Sequence, residues 1–340
     1  MVREVQTVGW DVKVIRPGGE TVTVPVTDGS LDWAESRSPM AGGRFSTKTP
    51  VGSVFGAQIQ PIRRVNGEPT VMGDYIATAD PKHFASSGEW SVEFIDRSIL
   101  ASNTRLIVPL SLPRSTHVVT AIRARLSKVG LAAYIDDQDD TLRTPIAWDV
   151  GTSELKVIND LLEAINYHPL RPVGMRLQAS EYRDVTRVDP EFSLREGVDG
   201  THLVDYAVDS DHLQVANRIV GVTAGGDGTP VLRALATDQR TTEFSHAARG
   251  GFWMDPEPLQ SNATTQAVLE AQVWRELRKR QSTMRVTVQH QWDPAIVVGA
   301  VGTLSSTRWG ELTGTYEVVS TGIGMKFNSL ASSELRRIQQ

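Results

Sequence analysis

Residues 148–169, WDVGTSELKVINDLLEAINYHP, are the segment that most narrows what this chain can fold into. Its apolar side chains recur at the spacing of one helical face, at Leu155, Ile158, Leu162 and Ile165. Thr152 or Ser153 can accept hydrogen bonds from the first free amides of a helix, and Pro169 cannot continue one. The segment therefore predicts a strand end, a capped amphipathic helix and a stop.

The sequence before this segment has mostly β patterning. Residues 5–26 alternate apolar and polar positions around Pro17-Gly18-Gly19, which predicts a hairpin. Further strands are predicted at 57–65, 74–79, 90–95 and 106–110. After Pro113 the apolar period changes from two to that of a helix, with Gly130 placed to end it. A module boundary near residue 112 follows from this change.

The sequence after about Gly174 returns to β patterning. Strands are predicted at 203–208, 218–222, 231–236, 284–291, 297–304, 315–321 and from 325 onward, and Gly225-Gly226-Asp227-Gly228 is a predicted hairpin tip. One long helix is predicted near 262–281. The predicted fold class is mainly β with an α+β middle module. Its modules are 1–112 (N-terminal β), 113–182 (α+β, inserted) and 183–340 (C-terminal β).

Composition excludes several classes of protein. With 40% hydrophobic and 22% charged residues in 340, the chain is typical of globular proteins, and no run approaches the roughly 20 apolar residues of a membrane helix. The net charge of −5 argues against a dedicated DNA-binding module, because such modules cluster basic residues. The absence of cysteine excludes disulfides, thiolate zinc sites and cysteine nucleophiles. The charged first residues favour synthesis in the cytoplasm without export.

The order of several segments resembles the tail-tip hub proteins of long-tailed bacteriophages, often called minor tail proteins, and the baseplate hubs of contractile-tailed phages. The helix segment is similar to a W-x-x-GTS-x-L-x-x-I-N-D-L-L pattern of that family. The stretches that carry the remaining resemblance are SVEFIDRSIL (91–100), DYAVDSDHLQVANRIVGVTAGGDG (205–228) and PAIVVGAVGTLSSTRWGELTGTYEVVS (294–320).

This resemblance implies a structural virion protein at the tail tip, with two related tube-like β-barrel or sandwich modules bracketing the helical insertion. Three copies would form a ring of pseudo-six-fold symmetry that closes the tail tube. The implied partners are the distal-tail or tail-tube ring, the tape measure protein, other tail-tip proteins and, in transit only, DNA. A mildly acidic lumen would not retain a passing phosphate backbone.

Five residues are candidates for contacts between copies, and no catalytic, cofactor-binding or metal-ligating residue is assigned. The interface candidates are Arg37, Arg44, Trp148, Asn217 and Arg218. Asn217 and Arg218 form the N-R pair of the resemblance, and Trp148 opens its helix segment.

Other chemistry finds weaker support in the sequence. The loop Asp136-Asp137-Gln138-Asp139-Asp140 is the strongest Ca²⁺ candidate but lacks the spacing of an EF-hand, so a solvated hairpin tip is the better interpretation. The seven histidines form no H-E-x-x-H pattern. A glycan-binding tail module, suggested by eight tryptophans, and a peptidoglycan hydrolase with two carboxylates stay open as alternatives.

Overall fold

The computed structural model describes residues 7–196, 202–203, 207–210, 215–224, 230–239, 242–282 and 284–338. The strands are β1 (Val8–Ile15), β2 (Thr21–Pro25), β3 (Asp28–Ala34), β4 (Ala41–Thr47), β5 (Gln58–Val65), β6 (Glu68–Val71), β7 (Tyr75–Ala77), β8 (Lys82–Phe84), β9 (Glu89–Asp96), β10 (Leu110–Leu112), β11 (Ala133–Ile135), β12 (Ile146–Trp148), β13 (Arg171–Val173), β14 (Arg176–Ala179), β15 (Phe192–Arg195), β16 (Ala207–Ser210), β17 (Arg218–Thr223), β18 (Arg233–Thr237), β19 (Leu259–Ser261), β20 (Met284–His290), β21 (Val301–Ser305), β22 (Gly314–Gly324) and β23 (Ala331–Arg337). The helices are α1 (Ile99–Asn103), α2 (Val118–Lys128), α3 (Glu154–Ala164) and α4 (Gln266–Gln281).

The predicted mainly-β fold class is confirmed. Fifteen strands form one sheet with the main path β16-β20-β23-β22-β3-β4-β9-β7-β5-β1-β2, and β6, β8, β15 and β21 attach beside it. Within the described residues, no helix has the length and apolar content needed to cross a membrane.

The predicted hairpin joins β1 and β2, which pair antiparallel. Gly19 takes a φ of +86°, a conformation that suits glycine, and the Gly19 amide donates to the Arg16 carbonyl oxygen. Along β1 the side chains alternate, so Trp10, Val12 and Val14 are buried in the first apolar core. The period of two in the sequence therefore predicts the correct inward face.

The first and last β segments are joined by the pairing of β3 with β22, referred to here as the seam. The two strands run antiparallel in register from Ser320 opposite Ala34 to Gly324 opposite Ser30. Ile323, Met325 and Ala331 then contribute to the first core, together with side chains from β1, β4 and β9. One sheet thus spans both ends of the chain, and the module boundaries at 112 and 182 stay a prediction.

Asp96 and Arg97, the D-R pair in SVEFIDRSIL, have structural roles at the end of β9. The buried carboxylate of Asp96 accepts from the Ala41 amide at 2.9 Å, in the neighbouring strand β4, and from the Ser98 amide at 2.9 Å. Arg97 pairs with Asp74 at 3.1 Å. Burial raises the pKa of Asp96 while these donors act against that rise. The pair closes β9 and starts α1.

The predicted helix of the middle segment is α3. Ser153 caps it, since its hydroxyl accepts from the Lys156 amide at 3.2 Å. Glu154 in the first turn is fully buried and accepts from Lys128 of α2 at 2.7 Å. The helix ends at Ala164, before Pro169, because Asn166 takes a φ of +60° and the chain turns there. Its apolar face packs against α2 in one core.

The predicted strand at 106–110 is absent, and β10 begins only at Leu110. The Leu106 amide donates to the Thr152 carbonyl oxygen, and the Leu106 carbonyl accepts from the Gly151 amide, both at 2.9 Å. This pairing with a loop leaves Ile107 and Val108 86% and 65% exposed. Apolar sequence alone does not make a strand where the backbone finds another partner.

Helix α4 covers the small sheet β18-β17-β19. It begins at Gln266, four residues after the predicted start at 262, because the Thr265 hydroxyl accepts from the Val268 amide at 3.2 Å. Gly221 of β17 allows the close approach, since a Cβ there would lie 2.3 Å from Cγ2 of Val273. The predicted hairpin tip at 225–228 lies outside the described residues.

Candidate functional site

A cleft of about 1120 Å³ lies where three parts of the structure meet. Its walls come from α3 and the chain after it, from one face of α4, and from β22 and β23 of the large sheet. Two hydrogen bonds hold α4 and its approach to the end of α3. Gln272 donates to the Glu163 carbonyl oxygen at 2.6 Å and the Thr264 amide to that of Ala164 at 3.0 Å. These bonds satisfy carbonyls that a helix end leaves free.

A stack of three side chains lies in the cleft. The Arg275 guanidinium sits 4.6 Å above the Tyr182 ring, and the His168 ring lies 4.7 Å from the same ring. Nη1 of Arg275 also donates to Asn166 at 3.3 Å. Burial, followed by the charges of Arg171 and Arg275, lowers the pKa of His168 to about 3. Burial raises the pKa of Tyr182 to about 12. Histidine is therefore neutral and tyrosine protonated near neutral pH.

Arg171 is the second basic side chain beside His168. It donates to the Val298 carbonyl oxygen at 3.2 Å and to the Ser180 hydroxyl at 3.3 Å. Its Nε is buried without a hydrogen-bond partner. Burial lowers the pKa of this guanidinium. Gly299 lies against it, because a Cβ at that position would be 2.9 Å from Arg171 Nη1.

The remaining walls of the cleft hold matched ion pairs. Arg336 of β23 contacts Glu317 at 2.7 Å and Glu35 at 3.3 Å, and Lys279 of α4 reaches Glu35 at 3.7 Å. Burial works against the charge of Arg336, but the two carboxylates raise its pKa overall. These pairs link the first β segment to the last and both to α4.

Arg278 of α4 pairs with Asp184 in the chain that follows Tyr182. Burial acts against the charge of Asp184, yet hydrogen bonds from Thr186 and Arg278 lower its pKa overall. The Arg278 guanidinium also lies 5.9 Å from the Trp274 ring. This pair therefore fixes α4 to the connecting segment.

The titratable groups of the cleft are held mostly in their neutral forms. With a pKa of about 3, His168 is a weak base and carries no imidazolium proton at neutral pH, and Tyr182 stays protonated. Glu163 has a pKa raised by burial and by its acidic neighbours, against the charge of Arg275. In the described part of the chain, no basic nitrogen lies within 4.0 Å of the Glu163 carboxylate oxygens.

His290 and Ser333 form a hydrogen-bonded histidine–serine pair, which some hydrolases use, but it is buried where no substrate can reach it. His290 Nε2 lies 2.8 Å from the Ser333 hydroxyl, and its Nδ1 lies 2.7 Å from the Gln291 carbonyl oxygen. Both His290 and Ser333 are fully buried, and burial lowers the pKa of this histidine. Ser333 in turn bonds Thr321 at 2.8 Å. The group stabilises the sheet next to the seam.

The acidic loop at 136–140 spreads its carboxylates toward separate partners. Asp137 pairs with Arg123 at 2.7 Å and Asp139 lies 3.7 Å from His117. The carbonyl oxygen of Asp136 accepts from the Tyr167 hydroxyl at 3.4 Å. Across the described ranges, no three His, Asp or Glu side chains gather as a metal site would require. The loop joins β11 to β12, which lie in different sheets, so the interpretation of it as a hairpin tip is wrong. No metal is assigned to it.

The structure does not bring the five interface candidates together. Arg37 is exposed in the turn after β3, and Arg44 is exposed on β4 opposite Glu93. Trp148 is buried in the middle core, where its Nε1 donates to Asp160 at 2.8 Å. The first two are therefore open to contact in the single chain. Their role in contacts between copies stays a prediction, as does that of Trp148.

Asn217 and Arg218 support the segment 242–255. The buried Asn217 amide donates to the Phe252 carbonyl oxygen at 3.0 Å and accepts from the Met254 amide at 2.9 Å. Arg218 forms a two-contact ion pair with Asp255, with Nε–Oδ1 at 2.7 Å, and lies 4.6 Å from the Trp253 ring. In the described structure, Asn217 and Arg218 hold the segment 242–255 of their own chain in place. Their role in contacts between copies stays a prediction.

Several tryptophan rings have neighbours that limit sugar stacking. Trp253 is flanked by His246 at 4.1 Å and Arg218 at 4.6 Å, and Trp90 has His83 at 4.4 Å. The most exposed tryptophans are Trp274, at 41%, and Trp309, at 48%. They lie in separate parts of the chain, the first in the cleft wall. Trp274 and Trp309 therefore do not form a shared aromatic surface on which a sugar could stack.

Two neighbouring loops at one end of the middle core expose apolar side chains, and this surface is here called the apolar tip. It consists of Ile107, Val108 and Val150, with exposed fractions of 86%, 65% and 58%. The backbone bonds between Leu106 and Gly151 place the two loops side by side. A contiguous apolar surface of this kind is typical of a protein contact.

No sequence pattern identifies the cleft. The predicted helix near 262–281 ends in a basic run, Arg275 to Arg280, which is typical of a solvated or carbonyl-facing helix end. In the structure Arg275 instead contacts Tyr182 and Asn166. His168 is one of seven histidines that form no motif. The convergence of these residues depends on how α4 packs against the end of α3.

Comparison with known proteins shows the fold. No protein-family model matches the chain, and no curated protein matches it. The tail protein from Neisseria meningitidis MC58 superposes with a TM-score of 0.70 at 12% identity, over 97% of this chain and 97% of that chain. The 43 kDa tail protein of prophage MuSo2 from Shewanella oneidensis gives 0.66 at 10% identity, over 97% and 98%. Prophage tail protein gp18 from Listeria monocytogenes EGD-e gives 0.62 at 13% identity, over 97% and 95%. The chain has the fold of these phage tail proteins, and the resemblance predicted from its sequence is confirmed.

Proposed function

We propose that the chain is a structural component of a phage or prophage tail: a homotrimeric hub at the tail tip that closes the end of the tail tube. The observation that carries this proposal is a fold shared along almost the whole chain with several tail proteins. In this role the trimer joins the tube to the other tip proteins and forms part of the conduit for the tape measure protein and DNA. The chain acts in the virion and has no catalytic role.

The seam supports a ring-forming function. It makes the first and last β segments one continuous sheet, so each copy presents two β units in a fixed relation. Three such copies would present six β units around an axis, which suits a tube end built with six-fold symmetry.

The apolar tip supports a protein contact in this assembly. Its exposed side chains would bury apolar surface against a neighbouring copy, which stabilises an oligomer by roughly 25 cal/mol per Å². Stable obligate interfaces bury more than about 2,000 Å² in total, so the tip would be one part of a larger contact.

Light scattering of the purified chain, with negative-stain images of the particles, tests the proposal. We expect a mass of about three times the 37.3 kDa of one chain, and ring-shaped particles. A mass of one chain at all concentrations up to ~100 µM would contradict the proposal, because an obligate assembly has a dissociation constant far below that concentration. Glycan-array binding or peptidoglycan turnover by that monomer would then favour the two alternatives.

Substitution at the apolar tip tests the contact itself. Val108→Asp should shift the trimer toward monomer, since it places a charge in a buried interface. Val173→Asp is the matched control, because Val173 is a 46% exposed valine on β13 outside the tip. Equal loss of trimer in both variants, or in neither, would remove the tip from the interface.

A further inference from the structure

The central cleft contains arginines that its carboxylates do not neutralise. The acids along its walls are engaged elsewhere: Glu317 and Glu35 by Arg336, Asp184 by Arg278, and Glu276 by Arg280 at 2.6 Å. Asp160 pairs with Lys156 at 2.9 Å and accepts from Trp148. Asp238 accepts from Thr242 and Gln281, and Glu163 lies near enough to Arg275 to feel its charge without forming an ion pair. Two arginines of the cleft likewise have no ion pair in the described part of the chain.

Arg171 and Arg275 are those cations at the floor of the cleft. Within the part of the chain that the structure describes, neither has a carboxylate oxygen within 4.0 Å. Arg171 uses two of its five donors on Val298 and Ser180 and keeps a buried Nε without a partner. Arg275 uses one donor on Asn166. A buried guanidinium N–H without an acceptor is costly, so this position favours an oxygen acceptor, from water or from a ligand.

The two guanidinium groups belong to one site, because Arg171, Arg275 and His168 line the same cleft. The charges of both arginines also lower the pKa of His168, after burial. Neutral His168 adds no competing charge. Planar guanidinium groups match the two oxygens of a carboxylate or phosphate and make the strongest hydrogen bonds of this kind. The chemistry that the floor selects is thus an oxyanion.

The shape of the cleft selects a peptide over a small anion or a nucleotide. A volume of about 1120 Å³ far exceeds one phosphate and matches an extended segment of several residues. The Tyr182 ring has Arg275 over it and His168 beside it, so it offers a nucleobase no free stacking face. Trp274, 41% exposed in the wall, can instead contact an apolar side chain.

We propose that the central cleft binds an acidic peptide segment of a neighbouring protein, with one carboxylate held between Arg171 and Arg275. The segment enters from the open side of the cleft and lies between α4 and the chain after α3. This site does not depend on the number of copies in the assembly, so it can be tested on the protein in whichever oligomeric state it forms.

Fluorescence anisotropy with a labelled hexaglutamate peptide tests the proposal, with hexaglutamine as the neutral control. We expect hexaglutamate to bind and hexaglutamine to bind at least about tenfold more weakly, since charged hydrogen bonds provide the affinity. Raising NaCl from ~50 to ~500 mM should weaken binding by screening. Equal binding of both peptides, or of neither, would overturn the proposal.

Matched variants locate the site. Arg171→Gln and Arg275→Gln should each weaken hexaglutamate binding about tenfold, whereas Arg285→Gln should change it less than about twofold. Arg285 is the control because it is an exposed arginine of β20, paired with Glu334, away from the cleft. Glu163→Gln, which removes a carboxyl without an ion pair from the same cleft, should tighten binding. Equal weakening by all three arginine variants would overturn the proposed location.

Hydrogen exchange of the unaltered protein gives a readout that does not depend on the variants folding. Hexaglutamate should slow exchange in residues 166–176 and 270–282, and leave the apolar tip unchanged. Protection elsewhere alone would place the peptide at another site and contradict the proposal. Inorganic phosphate at the same concentration as the peptide should not displace it, and full displacement would show a small-anion site instead.

Discussion

The seam and the central cleft join the same parts of the chain by different physical means. At the seam, β22 pairs with β3 through backbone hydrogen bonds, and Ile323 and Met325 enter the first core with exposed fractions of 3% and 0%. In the cleft, α4 meets the end of α3 and the segment after Tyr182 through polar side chains, such as Gln272 with the Glu163 carbonyl oxygen and Arg278 with Asp184. The seam is therefore part of a continuous sheet, whereas the cleft is an open cavity whose walls are held together by polar and charged side chains.

This difference shows how one chain can combine rigidity with a binding surface. Backbone pairing with a buried apolar face changes little with salt or pH, because it contains no charge to screen. Side-chain ion pairs around water-filled space are weaker, respond to both, and can exchange partners with a ligand. We therefore expect the seam to carry stability and the cleft to carry recognition.

The largest effect should come from breaking the seam. Thr321→Pro removes a backbone donor from a strand paired on both sides, so the free energy of unfolding should fall by about 3 kcal/mol or more. Urea denaturation measures this. Thr321→Val is the control, since it keeps the backbone N–H and loses only the bond to Ser333, at about 1 kcal/mol. Similar losses in both variants would mean that the seam contributes little.

An intermediate effect should come from titrating the cleft. The pKa of His168 is about 3 in the folded chain against an ordinary 6.5, so between these values the unfolded chain binds a proton that the folded chain does not. Stability should therefore decrease as the pH falls below about 6.5, by at most roughly 1.4 kcal/mol per pH unit for this group.

Burial lowers the pKa of His290 in the same direction, whereas the raised pKa of Glu163 acts oppositely at lower pH, because the folded chain favours its protonated form. Urea denaturation at pH 7.5 and 5.5 measures the balance. His168→Gln should flatten the profile, and His83→Gln at an exposed position should not. An unchanged profile for His168→Gln would refute the assigned origin.

The smallest effect should come from single ion pairs of the cleft. Arg278→Gln should cost no more than about 1 kcal/mol, because the pair with Asp184 is partly exposed. The cost should shrink as NaCl rises from ~50 to ~500 mM, whereas that of Thr321→Pro should not. A salt-independent loss for Arg278→Gln would indicate that packing on Trp274, rather than charge, holds α4 in place.

Local features were predictable from the sequence where a short pattern has one solution. The predicted face of α3 with Leu155 and Ile158 is buried, and its cap is Ser153, one of the two predicted candidates. The β1–β2 hairpin followed from Pro17-Gly18-Gly19. Residues 106–110 show the limit, because their apolar run predicted a strand while their backbone pairs with the loop at 151–152. An apolar run indicates a preference for a strand, but the backbone groups available for pairing decide whether a strand forms.

The candidate site was out of reach for the same reason. Arg171, Tyr182 and Arg275 carry no shared motif, and a charge run at the end of α4 is in most proteins a solvated helix end. Their proximity arises because the carbonyls at the end of α3 accept from Gln272 and Thr264. Only a tertiary contact between distant segments brings the three side chains together.

By itself the sequence determined the mainly-β class, the three longer helices, the buried faces of β1 and α3, and the resemblance to phage tail proteins, because these depend on periodicity and order along the chain. The tertiary structure decided that β3 pairs with β22, that Ile323 completes the first core, and that two arginines without carboxylate partners meet in one cleft. Strand pairing and charge convergence depend on which distant surfaces pack together, and that choice is made by the free energy of the whole fold.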